Sequence, residues 1–217
     1  MRVRNKPGRP PVYSEAERSR RILAAAEQVF TTVGYGAATM EEVARIAGMS
    51  KKTVYAHYAD KKQLFAEVVS DAEAFQGWKD NRGSRAGDEP LGDLRARVVA
   101  LIEFALSPRQ VRMTRLLIAE AENFPELADE FHERVMRRGH AHLVEGLKLL
   151  AEKTESLLKN RDLDQLARMV FGAAMGVMHI YALFGKVNDL SHEKLAREVD
   201  AALAAVLPDL ARTTHMD

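Results

Sequence analysis

Residues 39–64 read TMEEVARIAGMSKKTVYAHYADKKQL, and the spacing inside this stretch decides the fold. Thr39 and Glu42 have the separation of a capping box, which predicts a helix opening at Thr39. Met40, Val43, Ala44 and Ala47 fall on one face of it, and Gly48 closes it. Ser50 caps the next helix, Lys51 to about Tyr58. Asp60 with Gln63 opens another, residues 61–75. Two short helices joined by Ala-Gly-Met-Ser form a helix-turn-helix. Small Ala44 and Ala47 allow the first helix to pack tightly. A short, capped second helix can present its leading turn to a DNA major groove, which is about 12 Å wide and admits one helix.

The outward-facing residues suit that task. Ser50, Lys51, Lys52 and Thr53 lie at the leading turn, within reach of base edges and phosphates. Tyr55 and His57 can donate to phosphate oxygens. Lys61, at the start of the following helix, suits another phosphate, and so does Thr39 at the start of the first.

Working outward, Ser14 and Glu17 form a second capping box. The helix they open carries an apolar face of Ile22, Ala26, Val29, Phe30 and Val33 and ends at Gly34. Residues 1–13 hold three prolines and a glycine and read as a disordered basic arm. Within the arm, Pro7-Gly8-Arg9-Pro10 is similar to an AT-hook core, which makes Arg9 a candidate for the minor groove. Residues 76–91 read as a linker. Further helices are predicted near 92–106, 109–122, 125–156, 163–184 and 192–207, punctuated by Ser107-Pro108, Pro125, Asn160-Arg161-Asp162 and Ser191. The fold class is all-α. A helix-turn-helix domain with its connecting fourth helix spans 14–75, and a larger helical dimerisation and ligand-binding domain spans 92–217.

Charge divides along the same line. Residues 1–70 carry 12 Lys and Arg against 7 Asp and Glu, which leaves −4 for the rest of a chain whose net charge is +1. A basic front on a mildly acidic body points to a polyanion partner for the front only. Cysteine is absent, which removes disulfides, thiolate metal sites and thiol nucleophiles, and fits a cytoplasmic, nucleoid-associated protein. No motif of hydrolase, zinc-protease or dinucleotide-binding type is present, so the expectation is a protein that is not an enzyme, with no metal and no cofactor. Met169 to Gly185 lacks Asp, Glu, Lys and Arg but sits at the lower limit for spanning a bilayer; it reads as a buried helix, with no membrane partner.

Residues 16–68 resemble the DNA-binding domain of the tetracycline-repressor (TetR) family. The resemblance rests on Gly34-Tyr35, the T-x-x-x-V-A-x-x-A-G-x-S run from Thr39 to Ser50, the T-V-Y-x-H-Y run from Thr53 to Tyr58, and D-K-K-x-L from Asp60 to Leu64. It implies base or phosphate contacts for Lys51, Lys52 and Thr53, and backbone contacts for Thr39, Tyr55, His57 and Lys61. Lysine stands at position 52 where many members have glycine. Residues 117–131, LIAEAENFPELADEF, resemble a subgroup whose bodies carry I-A-E-A-x-x-F-P-E-L, some of them linked to efflux pumps.

For the body, the resemblance implies a homodimer and a small-molecule effector, apolar or amphipathic. Phe171, Gly172, Met175 and Gly176, with Leu195, Val199, Leu203 and Val206, are the expected dimer interface; an intramolecular core is the alternative. Phe104, Met113, Leu117, Glu120, Phe131, Met175 and His179 are the candidate ligand contacts. The function this implies is a ligand-responsive repressor binding a palindromic operator. The alternatives are a non-sensing architectural DNA binder and an activator of the same family.

Overall fold

The computed structural model describes residues 13–70, 90–154, 158, 160–186 and 191–208. The chain divides into two units, one up to Val68 and one from Val69 onward. All regular structure among the described residues is helical. Arg9 and most of the expected linker lie outside the described residues.

In the first unit, α1 (Glu15–Ala37) opens on the Ser14 capping box: the Glu17 amide donates to Ser14 Oγ, and the Ser14 amide donates to the Glu17 carboxylate. The Ser14 amide and the Ser14 hydroxyl (2.8 Å) both donate to that carboxylate and hold the Glu17 carboxyl below its usual range. Ile22, Ala25, Ala26, Val29 and Phe30 are buried, but Val33, expected on the same face, is exposed. The helix does not stop at Gly34. This residue takes φ 83° and ψ 163°, which glycine tolerates, and one more turn follows the kink. The kink swings Tyr35 inward, where its ring meets those of Phe30 and Phe65 at centroid separations of 5.6 and 5.4 Å. Aromatic pairs in such tilted and edge-on geometries add about 0.5–1.5 kcal/mol each beyond the area they bury.

Helix α2 (Met40–Ala47) is capped by Thr39 and closed by Gly48 in the left-handed region, φ 68°. Only half of the expected capping box forms there, because Glu42 turns to Arg45 (2.9 and 2.6 Å) instead of the cap amide. Helix α3 (Lys51–His57) is held to the core by Val54, which has no exposed surface. Helix α4 (Lys61–Ser70) buries Leu64, Phe65 and Val68.

The second unit comprises α5 (Pro90–Leu106), α6 (Pro108–Glu120), α7 (Pro125–Phe131), α8 (Arg137–Lys153), α9 (Leu163–Met175), α10 (Met178–Leu183) and α11 (His192–Val206). Helix α5 lies at its centre, against α8, α9 and α11. The α5–α8 crossing is close: a methyl group on Gly146 would stand 2.7 Å from Arg97 Cδ. Arg97 is itself buried and bonded to Asp93 (2.6 Å).

Two expected continuous helices are interrupted. Residues 125–153 contain a π-helical turn, His132–Met136, between α7 and α8. The 163–184 helix breaks at Gly176, whose φ 47° and ψ −134° lie outside the helical region. No helix among the described residues is long and apolar enough to cross a membrane. The stretch from Met169 to Gly185 is also not buried all round: Met169, Val177, Ile180, Tyr181 and Phe184 are exposed.

Candidate nucleic-acid interface

The geometry of α3 follows from its caps. The Thr53 amide donates to Ser50 Oγ (3.1 Å), and the Ser50 and Thr53 hydroxyls share a further bond of 2.8 Å. Behind them, the left-handed Gly48 turns the chain so that α2 and α3 pack against each other. With Val54 and Tyr58 turned inward, Ser50, Lys51, Lys52, Tyr55 and Ala56 remain exposed on the opposite side. Two ammonium groups and a phenol therefore stand on the face of one short, capped rod. Lys51 Nζ lies 2.9 Å from Glu41 Oε1, and that contact holds the Glu41 carboxyl below its usual range. Thr39 Oγ1 accepts from the Glu42 amide, which leaves its own proton to donate outward.

Lys61, which the sequence assigns to a phosphate, donates its ammonium to the carbonyl oxygens of Tyr35 (2.7 Å), Gly36 (3.1 Å) and Ala38 (3.0 Å) in the single chain. It also lies 4.5 Å from the centre of the Tyr35 ring. An ammonium group has three protons, and three carbonyls at the end of α1 use them. Lys61→Met is expected to destabilise the first unit by about 2 kcal/mol, since charged hydrogen bonds contribute about 1.5–3 kcal/mol each and partial exposure lets water replace some of that. Chemical denaturation followed by tyrosine fluorescence measures this. A phosphate anchor would behave oppositely: the denaturation midpoint would hold, and the salt dependence of DNA binding would fall.

His57 is mostly withdrawn from solvent, with 11% of its side chain exposed. Its Nδ1 lies 3.1 Å from the Thr53 carbonyl and its Nε2 lies 3.1 Å from Glu15 Oε1. Beside it, Tyr13, Arg18, Gly48, Met49, Ser50 and Thr53 line an open hollow of about 440 Å³. The start of α1 thus adjoins the leading turn of α3. Sequence reasoning missed Glu15 and Arg18 here, because their proximity to α3 is tertiary and leaves no periodic trace.

In the second unit, the helices carrying the candidate ligand contacts do meet: α6 packs against α5, α7 and α10. Met113, Leu117 and Met175 are buried, while Phe104, Glu120, Phe131 and His179 are half-buried. Burial pushes the His179 imidazole below its usual range, so it is neutral at pH 7. Arg115 fastens α6 to α10 through the carbonyls of Leu183 (2.7 Å) and Ala182 (2.9 Å). The sequence reading overlooked Gln110, whose buried Nε2 has no hydrogen-bond partner among the described residues.

Of the expected dimer face, Leu195, Val199, Leu203 and Met175 are buried within the single chain, where α11 packs on α9 and α5, as the intramolecular alternative has it. Phe171 and Val206 are half-buried, and Gly172 and Gly176 are exposed.

Comparison with known proteins agrees with both units. Residues 22–68 match the tetR family of bacterial regulatory proteins, and residues 92–208 match the C-terminal domain of AefR-like transcriptional repressors. The chain is 28% identical over 167 residues to the HTH-type transcriptional repressor BepR of Brucella suis, covering 76% of this chain and 80% of that one. A structure from Mesorhizobium loti assigned to the TetR family is 30% identical, with a TM-score of 0.72 over 90% of this chain and 98% of its own. The flavonoid-responsive regulator FrrA is 26% identical, also with a TM-score of 0.72, over 89% of this chain and 97% of its own. These relatives are regulators and not enzymes, in keeping with the absence of catalytic motifs. The chain belongs to the tetR family of bacterial regulatory proteins, with a C-terminal domain of the AefR-like repressor type.

Proposed function

We propose that this chain is a cytoplasmic, effector-responsive repressor that binds a palindromic operator as a homodimer. The observation carrying this reading is the exposed leading turn of α3, with Lys51, Lys52 and Tyr55 displayed on a helix that Ser50 caps and Val54 anchors. Lys51, Lys52 and Thr53 reach base edges and nearby phosphates, while Thr39 and Tyr55 hold the backbone. Two such helices in one symmetric pair enter successive major grooves, about 34–36 Å apart or a multiple of that.

The pairing surface is the exposed side of α9 and α10. Met169, Gly172 and Ala173 recur at helical spacing along α9, and beyond the break at Gly176 the exposed Val177, Ile180, Tyr181 and Phe184 add to the apolar surface, with Phe184 72% exposed. Glycine at 172 has open space where a side chain would stand, so a partner helix can approach closely. An apolar stripe of this length is a liability on a monomer and an asset at an isologous interface.

The effector site lies where α6 meets α5, α7 and α10. The side chains of Phe104, Met113, Leu117 and Phe131 there suit an apolar or amphipathic molecule, and FrrA is a flavonoid-responsive regulator. Binding there weakens DNA affinity by favouring a dimer geometry with a different spacing of recognition helices.

The test is selection of duplexes from a random pool by the purified protein, followed by footprinting. An inverted repeat with protected half-sites one or two helical turns apart is expected. Recovery of duplexes with no common sequence would instead favour an architectural binder.

A further inference from the structure

We infer that the side-chain amide of Gln110 is the polar anchor of the effector site, and that it donates from Nε2 to a carbonyl oxygen of an uncharged, largely apolar molecule. The inference rests on the effector site proposed above. It adds to that site a binding residue and the chemical class of the group that residue holds.

Gln110 lies in the first turn of α6. Among the described residues, it and Arg97 are the buried polar or charged ones, each 5% exposed. Arg97 is accounted for by Asp93 and His142. Gln110 Nε2 has no hydrogen-bond partner among the described residues. Such a donor is rare in folded proteins, because it has given up its bonds to water with nothing in return. The local sequence also offers this side chain another place. Ser107 and Gln110 have the spacing of a capping box, in which the glutamine would turn back to accept from the Ser107 amide. Only the serine half forms. The Gln110 amide donates to Ser107 Oγ (3.3 Å), while the Ser107 amide donates to the Phe104 carbonyl (3.1 Å). The glutamine side chain is buried instead of closing the cap.

Its companions are apolar. Gln110, Met113 and Leu117 follow one another at intervals of three and four residues on one face of α6, and all three are buried. The neighbouring Thr114 hydroxyl is turned to the Gln110 backbone carbonyl (3.0 Å). One amide donor at the end of an apolar stripe is how ligand sites combine affinity with orientation: the apolar area holds the molecule, and the few polar groups direct it. Charge then chooses between acceptors. Phe104, Phe131, Met113 and Leu117 carry none, burial keeps His179 neutral, and Glu120 is acidic. A carboxylate ligand would leave water with no cation among these residues to meet it. A carbonyl oxygen costs far less to desolvate and needs only the donor that Gln110 holds.

The experiment uses the full-length protein and two matched pairs of probes, benzophenone with diphenylmethane and acetophenone with ethylbenzene, titrated by calorimetry. The members of each pair share a skeleton and differ by a carbonyl against a methylene. The hydrocarbon is the more hydrophobic of each pair, so an apolar site without a donor prefers it. The wild type is expected to bind the ketone of at least one pair about ten-fold tighter than its hydrocarbon. Gln110→Met, which keeps the length and removes the donor, is expected to reverse that order. Gln110→Glu, of the same size but with an acceptor in place of the donor, is expected to weaken ketone binding about ten-fold and serves should the methionine variant fail to fold. Hydrocarbons that bind the wild type as tightly as their ketones in both pairs overturn the anchor and leave the apolar effector site standing. A ketone preference that survives both substitutions assigns the donor to another residue and overturns the inference as well. Absence of binding by all four probes removes the effector site and the anchor together.

Discussion

Reversing both lysines of the recognition helix, Lys51→Glu with Lys52→Glu, is expected to lower affinity for the selected operator about 10³-fold or more while leaving the fold intact. Two lysines in each of two protomers give four contacts, and each base or phosphate contact contributes about 1–1.5 kcal/mol. The variant is expected to be readable because both side chains are exposed and α3 is held by Val54 and Tyr58, which do not change. Glutamate in the first turn of a helix is also favoured by the helix dipole, so thermal stability should hold. The carboxylate introduced at position 51 would stand near Glu41 on an exposed surface, where water and salt screen the repulsion. Fluorescence anisotropy at several salt concentrations supplies a second signature. The slope of log affinity against log salt should flatten by about 3–4, close to 0.9 for each phosphate no longer neutralised. An unchanged Kd with an unchanged slope would remove α3 from the interface altogether.

The features legible in the sequence were those encoded within one helical turn. Ser14 with Glu17, Thr39 with the Glu42 amide, Ser50 with the Thr53 amide, and Gly48 in the left-handed region each involve partners at most four residues apart. Cap chemistry is local, so residue identity and spacing suffice to place it. The breaks inside long helices were not legible, for a related reason. His-Glu-Arg-Val-Met, the π turn, contains no helix breaker, and Gly176 sits in an apolar run that reads as continuous helix. Their geometry is set by what packs around them.

Lys61 shows the same limit in a functional residue. Its carbonyl partners lie 23–26 positions earlier in the chain, just past the kink at Gly34. Bonds between a lysine and a chain segment that distant leave no periodic trace in the sequence. The arrangement of α11 is a third case. A helical repeat of Leu195, Val199 and Leu203 establishes that one face is buried, but not whether the covering surface belongs to the same chain. Here it does, and this moves the uncovered apolar surface to α9 and α10.

That relocation leads to the second large effect. Ile180→Asp with Phe184→Asp is expected to convert a dimer into a folded monomer of 24.2 kDa, half the mass of the wild type by light scattering. Both residues are exposed in the single chain, at 51% and 72%, so the substitutions leave its core untouched. In a dimer they would place four carboxylates in an apolar contact, where an unpaired buried charge costs several kcal/mol. A stable interface buries about 800 Å² on each partner, and the stripe from Met169 to Phe184, with its flanking alanines at 201, 204 and 205, is the exposed apolar surface that can supply it. Leu195→Asp provides the contrast. Its side chain is 1% exposed within the chain, so this variant should lose helical signal and aggregate, and should not yield a folded monomer. Operator affinity of the Ile180/Phe184 variant should fall about 10²–10⁴-fold, because each half-site would then be held by one recognition helix without the effective concentration a tethered partner provides. A wild-type mass of one chain, or a dimer that survives both aspartates and dissociates only when α11 is altered, would return the interface to the face first expected and leave the exposed stripe to another partner.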